Sequence, residues 1–214
     1  MKKVLITCFD PFGGEDINPS QLAVFALPDE VAGAKIIKLE IPTVFNKSKE
    51  LLYEALEKEK PDVVMCIGQA GGRPDITVER VAINIDDARI VDNENQQPID
   101  KPIERHGPTA YFSTLPIKAM VKGCEEKNIP ASISNTAGTF VCNHLMYAAC
   151  HYRATHQPHL KAGFIHIPFV PEQILNKPHM PAMILTDIVR GLTSMIKTAI
   201  EVDDDLLITG GLEH

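Results

Sequence analysis

The chain has 214 residues, of which 44% are hydrophobic, and 21 basic against 28 acidic residues give a net charge of -7. The length fits one large domain, and the hydrophobic fraction is sufficient for a full core. The negative charge does not favour nucleic acid or an anionic membrane as a partner, and no apolar run is long enough to span a bilayer.

Short β-rich runs alternate with helical patterns along the chain. The predicted strands are VLITCF (4–9), IIKLEI (36–41), VVMCI (63–67), VAINI (81–85) and GFIHI (163–167). The first and third are apolar throughout, which is typical of central strands covered on both faces. Apolar residues at helical spacing predict helices in KSKELLYEALEKEK (47–60) and over 185–199. This alternation predicts a layered α/β fold with a mostly parallel sheet.

No internal repeat or low-complexity linker divides the chain, so residues 1–211 are predicted to form one domain. The segment 92–108, rich in Pro, Asn and charge, is interpreted as an excursion from that domain. The terminal Leu-Glu-His, residues 212–214, resembles the start of a purification-tag junction.

The stretch SNTAGTFVCNHLMYAA (134–149) places Cys142 where a turn opens a helix. The first amides of a helix have no internal partners, and the helix dipole is positive there, so we expect a stabilised, nucleophilic thiolate near neutral pH. The alternative is a small buried hydrophobe, as most free cysteines are. The five cysteines form no CxxC pair, which argues against disulfides and a zinc ribbon and favours a reducing cytoplasm.

A cysteine nucleophile requires a base and usually a third group that orients the base. Among the eight histidines, His166 lies inside an apolar predicted strand, either as a hydrogen-bonded core residue or as a site residue. His144 follows Cys142 too closely in the helix to place its imidazole beyond the thiol. Glu79 immediately precedes the run VAINI, where a charged side chain is either paired or at the surface.

Three segments are expected beyond the carboxyl ends of strands, namely DPFGG, GQAGGR and HIPFVP, and Cys142 should reach the same edge after a short strand over 131–134. GQAGG can cradle a phosphate through backbone amides, but it lacks the Lys-Ser/Thr ending of a P-loop. There is no HExxH and no calcium-loop spacing, so no metal or other cofactor is expected.

Seven segments taken together resemble the pyroglutamyl peptidase I family, also called pyrrolidone-carboxylate peptidases. They are FDPFGG, NPS, IPTVF, GQAGGR, ERVAINIDDARI, GTFVCNH and GFIHIPFVPEQ. They occur in order from the first strand to about Gln173 and so cover most of the chain. Two positions depart from the family pattern: Val78 stands where proline is expected, and Cys8 where glycine is usual.

The resemblance implies a single-domain, three-layer α/β/α sandwich and a cytoplasmic, homotetrameric cysteine peptidase. It assigns Cys142 as the nucleophile, His166 as the general base and acid, and Glu79 as the residue that orients His166. The substrate would be a peptide with an N-terminal pyroglutamate, cleaved through a thioester. Gln69 would be a polar contact and Arg89 a helper near the oxyanion. An apolar slot for the ring would be formed by Phe9, Phe12, Thr43, Ile90, Phe140 and Val141.

Two other classes of function stay open at this point. In an enzyme like a nucleoside phosphorylase, GQAGGR would bind phosphate and Cys142 would belong to the core. Such an enzyme would need phosphate for turnover and would survive Cys142→Ser. In a catalytically silent binding module, Cys142, His166 and Glu79 would not converge in space. The natural peptides, the residue preferred after pyroglutamate and the kinetics do not follow from the sequence.

Overall fold

The computed structural model describes residues 1–211, so the expected tag junction, 212–214, lies outside the described residues. The strands are β1 (Lys3–Phe9), β2 (Glu30–Val31), β3 (Ala34–Ile41), β4 (Val63–Gln69), β5 (Ile76–Glu79), β6 (Val81–Ile83), β7 (Ala110–Phe112), β8 (Ala131–Ser134) and β9 (Lys161–Ile167). The helices are α1 (Pro19–Ala26), α2 (Lys47–Glu59), α3 (Ile117–Glu125), α4 (Val141–Thr155) and α5 (Leu185–Glu201), with a short 3-10 helix at Pro171–Ile174.

Seven strands form one sheet in the order β2-β3-β1-β4-β9-β5-β8, while β6 and β7 form a separate pair. Within the large sheet, the pairs β2–β3 and β5–β9 are antiparallel and the other pairs are parallel. The prediction of an α/β fold with a mostly parallel sheet is confirmed. None of the described helices is both long and apolar enough to cross a membrane.

Alternate residues of the central strands feed two separate cores, one on each face of the sheet. In β1, Val4 and Ile6 pack with residues of α1, α3 and α5, whereas Leu5 packs with residues of α2 and α4. Successive side chains of a strand point to opposite faces, so a strand covered on both faces has a nearly continuous run of apolar residues. The molecule therefore has three layers, with α2 and α4 on one face of the sheet.

The structure differs from the sequence prediction mainly around Glu79. The segment before VAINI forms its own strand, β5, and Glu79 is the last residue of β5. The strand predicted over 81–85 ends at Ile83. The helix expected to open at Cys142 begins at Val141, so Cys142 is its second residue.

Candidate active site

The sheet face covered by α2 and α4 collects the side chains predicted for catalysis. Strand β9 lies between β4 and β5, which places Gly68 beside His166 on one side and Thr77 on the other. Paired residues on adjacent strands point to the same face, and so do residues two apart along one strand. His166, Phe164 and Glu79 therefore share a face of the sheet.

The first turn of α4 brings Cys142 onto this face. A Cβ atom built on Gly68 would lie 3.1 Å from Cys142 Sγ and 2.7 Å from the Phe164 ring. The thiol is therefore seated over the backbone of β4, beside the position paired with His166. A side chain at Gly68 would have to displace the aromatic ring or the thiol. The structure brings Cys142, His166 and Glu79 together at this point.

Glu79 and His166 form a buried, hydrogen-bonded pair. Their exposed fractions are 0% and 4%, and Glu79 Oε1 lies 2.7 Å from His166 Nδ1. An ionised carboxylate only accepts hydrogen bonds, so Nδ1 carries the proton and Nε2 of the neutral ring keeps its lone pair. Burial lowers the pKa of His166 more than the hydrogen bond to Glu79 raises it. The resting imidazole is thus neutral and able to accept a proton at Nε2.

Arg73, the last residue of GQAGGR, also contacts Glu79. Its Nη1 donates to Glu79 Oε1 at 2.6 Å and to Thr77 Oγ1 at 2.5 Å, and its Nη2 donates to the Thr136 carbonyl at 3.1 Å. Burial raises the pKa of Glu79, but the hydrogen bond and charge of His166, followed by the Ser134 hydroxyl and the charge of Arg73, hold it below its ordinary value. The sequence analysis gave Arg73 no role, because it considered GQAGGR as a candidate phosphate loop and as a segment of the family resemblance but could not show that its last residue pairs with Glu79.

The Cys142 thiol differs from the expectation drawn from its place in the helix. Burial and the negative charge of Glu79 raise its pKa to about 12, and the opposing effects of Arg73 and the helix backbone are smaller. The residue as a whole is only partly exposed, and protein surrounds its thiol. All five cysteines lie in the described part of the chain, and Cys142 alone is not buried. The resting residue is a thiol, so its proton must leave during the attack.

The start of α4 leaves backbone donors near this thiol. Its N-cap residue, Phe140, makes no side-chain capping bond, and the first turn contains no acidic residue. The side chain of Asn143 instead accepts from the Ile83 N–H and donates to the carbonyls of Ile83 and Ile85, which ties α4 to β6 and the loop after it. Uncapped N–H groups at a helix start can bind a developing oxyanion.

A depression of about 390 Å³ opens beside the start of α4. The rings of Phe12 and Phe140 lie 6.2 Å apart in its wall, and Ile90 is 42% exposed there. Two hydrogen bonds between Asp87 and Thr139 join its two sides. The Asp87 N–H donates to the Thr139 carbonyl, and the Thr139 hydroxyl donates to the Asp87 carbonyl. Four of the residues predicted for substrate binding line it. The full lining is Phe12, Asp87, Arg89, Ile90, Gly138, Thr139 and Phe140.

The other four residues predicted for substrate binding do not line this depression. Phe9 and Val141 belong to the core, with exposed fractions of 2% and 0%. Thr43 is buried, and its N–H donates to Asp10 Oδ1 at 2.7 Å. Gln69, at the end of β4, accepts a hydrogen bond from Gln173 Nε2 at 2.9 Å.

Gln173 determines which end of the Gln69 amide remains available. Its Oε1 accepts from the Val170 N–H at 3.2 Å, and its Nε2 donates to the Ile17 carbonyl at 3.4 Å. A backbone N–H can only donate and a backbone carbonyl can only accept, so these two partners fix the orientation of the Gln173 amide. Its Nε2 must therefore meet the oxygen of Gln69, which leaves the Gln69 NH₂ group as a donor.

The glycines of GQAGGR are explained by packing rather than by phosphate binding. A Cβ on Gly71 would overlap the Phe169 ring, and Gly72 has φ +93°, a conformation that favours glycine. Arg73 is already paired with Glu79. Residues 1–211 contain no group of three or more His, Cys, Asp or Glu side chains arranged to hold a metal ion.

A thiol beside a histidine that is oriented by a buried carboxylate is the arrangement of cysteine hydrolases. Residues 2–202 match the family model described as pyroglutamyl peptidase. The chain is 61% identical over 209 residues to the pyrrolidone-carboxylate peptidase of Alkaliphilus oremlandii, with 98% of each chain covered. The chain therefore belongs to the pyroglutamyl peptidase family.

Solved structures agree with this assignment. The crystal structure of pyroglutamyl peptidase I from Bacillus amyloliquefaciens has a TM-score of 0.93 and 50% identity, covering 96% of this chain and 100% of that one. A mutant pyrrolidone carboxyl peptidase from Pyrococcus furiosus has a TM-score of 0.90 and 43% identity, covering 93% and 98%. No comparison supports the phosphorylase alternative.

Proposed function

We propose that this protein is a cysteine peptidase that removes N-terminal pyroglutamate (5-oxoproline) from peptides. The observation that carries the proposal is the meeting of Cys142, His166 and Glu79 on one face of the sheet. The depression with aromatic walls beside the start of α4 supports a small cyclic substrate. Membership of the family and the names of its relatives support pyroglutamate as that substrate.

Acylation begins with Cys142 as the nucleophile and His166 as the base. The thiol has a raised pKa and the imidazole a lowered one, so the reaction starts from a neutral pair. As Sγ attacks the pyroglutamyl carbonyl, Nε2 takes the thiol proton, and Glu79 stabilises the imidazolium. The tetrahedral oxyanion then collapses. His166 gives its proton to the leaving amine while the C–N bond breaks, which leaves a thioester.

Deacylation reverses these proton transfers. His166 takes a proton from water, the hydroxide equivalent attacks the thioester carbonyl, and the C–S bond breaks. Pyroglutamate leaves and the proton returns to Cys142. The N–H groups of the first turn of α4, including that of Cys142, donate to the oxyanion in both halves, and one such donor is typically worth about 10²- to 10³-fold in rate. Arg89 adds a positive charge from the wall of the depression.

Specificity follows from what pyroglutamate lacks and what it presents. It has no free α-amine, so an ordinary aminopeptidase anchor has nothing to bind. Phe12, Ile90 and Phe140 form apolar walls for the ring, and the NH₂ group of Gln69 donates to the lactam carbonyl. Proline lacks that carbonyl and should be rejected by up to about 10⁴-fold. We assign the remaining predicted residues, Phe9, Thr43 and Val141, to the support of these walls.

The cellular setting is part of the proposal. We propose that residues 1–211 act as one domain in the cytoplasm, as a homotetramer that requires no cofactor and acts on peptides with an N-terminal pyroglutamate. Five free thiols suit a reducing compartment. The resemblance to the family supports the tetramer.

A fluorogenic pyroglutamyl amide tests the proposal directly, with the matching prolyl amide as the comparison. We expect the wild type to cleave the pyroglutamyl amide, Cys142→Ala to be inactive, and iodoacetamide to stop turnover by labelling Cys142 first, since the other cysteines are buried. More than a few percent of activity in clean Cys142→Ala would reject the assignment. Turnover that needs phosphate and survives Cys142→Ser would favour a phosphorylase instead.

A further inference from the structure

We infer that Arg73 is a positioning residue of this site, which holds Glu79 in register with His166 and ties both to the loop that leads to Cys142. The inference rests on the proposed roles of Cys142, His166 and Glu79. It concerns a residue outside those three and outside the residues assigned to substrate binding.

The Arg73 guanidinium has three partners that converge on the site. Two of its donors reach Glu79 Oε1 and Thr77 Oγ1, and a third reaches the Thr136 carbonyl. Glu79 Oε1 is the same oxygen that accepts from His166 Nδ1. One carboxylate oxygen therefore receives two charge-assisted hydrogen bonds from different directions, which fixes its place better than either bond alone.

Glu79 has little else to hold it. Its side chain is fully buried, and Oε2 has no hydrogen-bond partner among residues 1–211. The Ser134 hydroxyl lies close enough to favour the ionised carboxyl, but its proton is donated to the Thr136 carbonyl. Without Arg73 the carboxylate would keep only the bond from His166 and what the Ser134 hydroxyl can add by turning toward it, and either of its oxygens could then take the His166 bond.

Arg73 also links three segments that meet at the site. It follows β4, it contacts Thr77 and Glu79 of β5, and it reaches Thr136 in the loop between β8 and α4. Glu79 is paired in register with Ser134, so the ends of β5 and β8 lie side by side. A planar fork of donors can span such a set, whereas a lysine ammonium is a single point charge.

The charge of Arg73 acts on His166 as well. The charged or titratable groups around His166 are Glu79 of β5, Arg73 of the loop before it and Cys142 of α4. Burial lowers the pKa of His166, Glu79 raises it and Arg73 lowers it. Loss of Arg73 should therefore raise this pKa. Because protonated His166 cannot accept the thiol proton, the acid limb of kcat/KM should move to higher pH.

The test compares Arg73→Gln and Arg73→Lys with Arg190→Gln. Arg190 is the matched control, since it forms a surface ion pair with Asp187 on α5. Two readouts are measured: kcat and KM for the pyroglutamyl amide across pH, and the pKa of His166 by NMR, with its signal assigned by its loss in His166→Gln. We expect Arg73→Gln to lower kcat by up to about 100-fold, as displacement of a catalytic group does, with little change in KM.

The same variant should move the acid limb of kcat/KM to higher pH and raise the pKa of His166. Arg73→Lys should keep the wild-type acid limb, because it keeps the charge, but lose part of kcat, because it cannot span Glu79 and Thr136. Arg190→Gln should match the wild type. A wild-type kcat and acid limb in Arg73→Gln would overturn the inference. If that variant does not fold, a wild-type kcat in Arg73→Lys would overturn the positioning role.

Failure of the proposed function would look different. The NMR titration needs no turnover, so a wild type that leaves the pyroglutamyl amide intact would reject the substrate. A raised pKa of His166 in Arg73→Gln would still support the link between Arg73 and His166. A folded Arg73→Gln variant in which the pKa of His166 is unchanged would reject that link, whichever substrate the enzyme takes.

Discussion

Two buried histidines of this protein, His166 and His144, each hydrogen-bond a carboxylate through Nδ1, and they differ at Nε2. His166 is 2.7 Å from Glu79, and His144 is 2.8 Å from Asp86. Nε2 of His144 accepts from the Asn46 N–H at 3.2 Å, whereas within residues 1–211 no hydrogen bond occupies Nε2 of His166. Burial and a carboxylate partner therefore do not distinguish His166, the proposed base, from His144. The lone pair of Nε2 that His166 keeps beside Cys142, the proposed nucleophile, does distinguish it.

His144 has a structural purpose that its bonds make clear. It joins α4 to Asp86 on one side and to Asn46, the residue before α2, on the other. Its ring meets the Phe45 ring edge-on at 5.6 Å, and Phe45 meets Phe140 at 5.3 Å. His144 thus supports a wall of the depression from behind, with no nitrogen left to move a proton.

The largest expected effect separates these histidines by activity. His166→Gln should lower kcat/KM by about 10⁴-fold or more, because the base is lost while the pair with Glu79 can be replaced by an amide. His144→Gln should keep kcat/KM within about tenfold of the wild type, since it takes no proton. Kinetics on folded protein with the pyroglutamyl amide would measure both. Comparable losses in the two variants would show that the contrast at Nε2 does not govern catalysis.

The carboxylates give the next contrast. Glu79→Gln should lower kcat by about 10²- to 10⁴-fold, less than loss of Cys142 or His166, because an amide accepts from Nδ1 but cannot stabilise an imidazolium by charge. With His166 as the proposed base, activity should be present above the pKa of His166 and lost below it. Burial lowers this pKa and Glu79 raises it, so Glu79→Gln should move the acid limb to lower pH. Asp86→Asn is the control, and a shift of the limb in that variant would contradict this assignment.

Local patterns in the sequence predicted the scaffold and the identity of the central residues. β1 is apolar from Val4 to Phe9 except at Thr7, and β4 is apolar from Val63 to Ile67, because both faces are covered, and this shows in the sequence directly. The place of Cys142 at a helix start and of His166 in an apolar strand likewise depends on neighbours along the chain. Their assignment as a catalytic pair depended on the resemblance to a family.

What the sequence could not show depends on contacts between distant segments. β5 alternates Ile76 and Val78 with Thr77 and Glu79, and such a short run becomes a strand only because β8 and β9 flank it. The ion pair of Arg73 with Glu79 forms across a loop whose path is set by packing on Phe169. The pKa of Cys142 is raised chiefly because segments distant in the sequence bury the thiol. This effect is larger than the lowering of the pKa by the start of the helix, which the local pattern revealed.

A smaller effect is expected where the depression meets the ring of the substrate. Phe12→Ala removes apolar wall without touching the catalytic groups, so it should cost about 1 to 3 kcal/mol in transition-state binding, or 10- to 200-fold in kcat/KM. Alkylation of Cys142 should proceed at the wild-type rate. Phe112, 72% exposed, gives the control variant Phe112→Ala. An unchanged kcat/KM in Phe12→Ala would remove this ring from the pyroglutamate slot.

The smallest expected effect is on stability, and it concerns His144, whose two ring nitrogens are both hydrogen-bonded. A single amide cannot replace both bonds of the imidazole, so His144→Gln should leave either the Asn46 N–H without its acceptor or the buried Asp86 without its donor, and Oδ1 of Asp86 already has no hydrogen-bond partner among the described residues. An unsatisfied buried polar group costs about 1 to 3 kcal/mol, so the free energy of unfolding should fall by roughly that amount.

Urea unfolding measures this loss as a lower midpoint with an unchanged slope. His159→Gln is the control, because His159 is exposed and its replacement should leave the midpoint in place. His166→Gln should also have a urea midpoint close to that of the wild type, because Nε2 of His166 makes no hydrogen bond within the described residues. If His144→Gln unfolds like the wild type but loses turnover, His144 acts in catalysis after all, and the division between the two buried pairs is wrong.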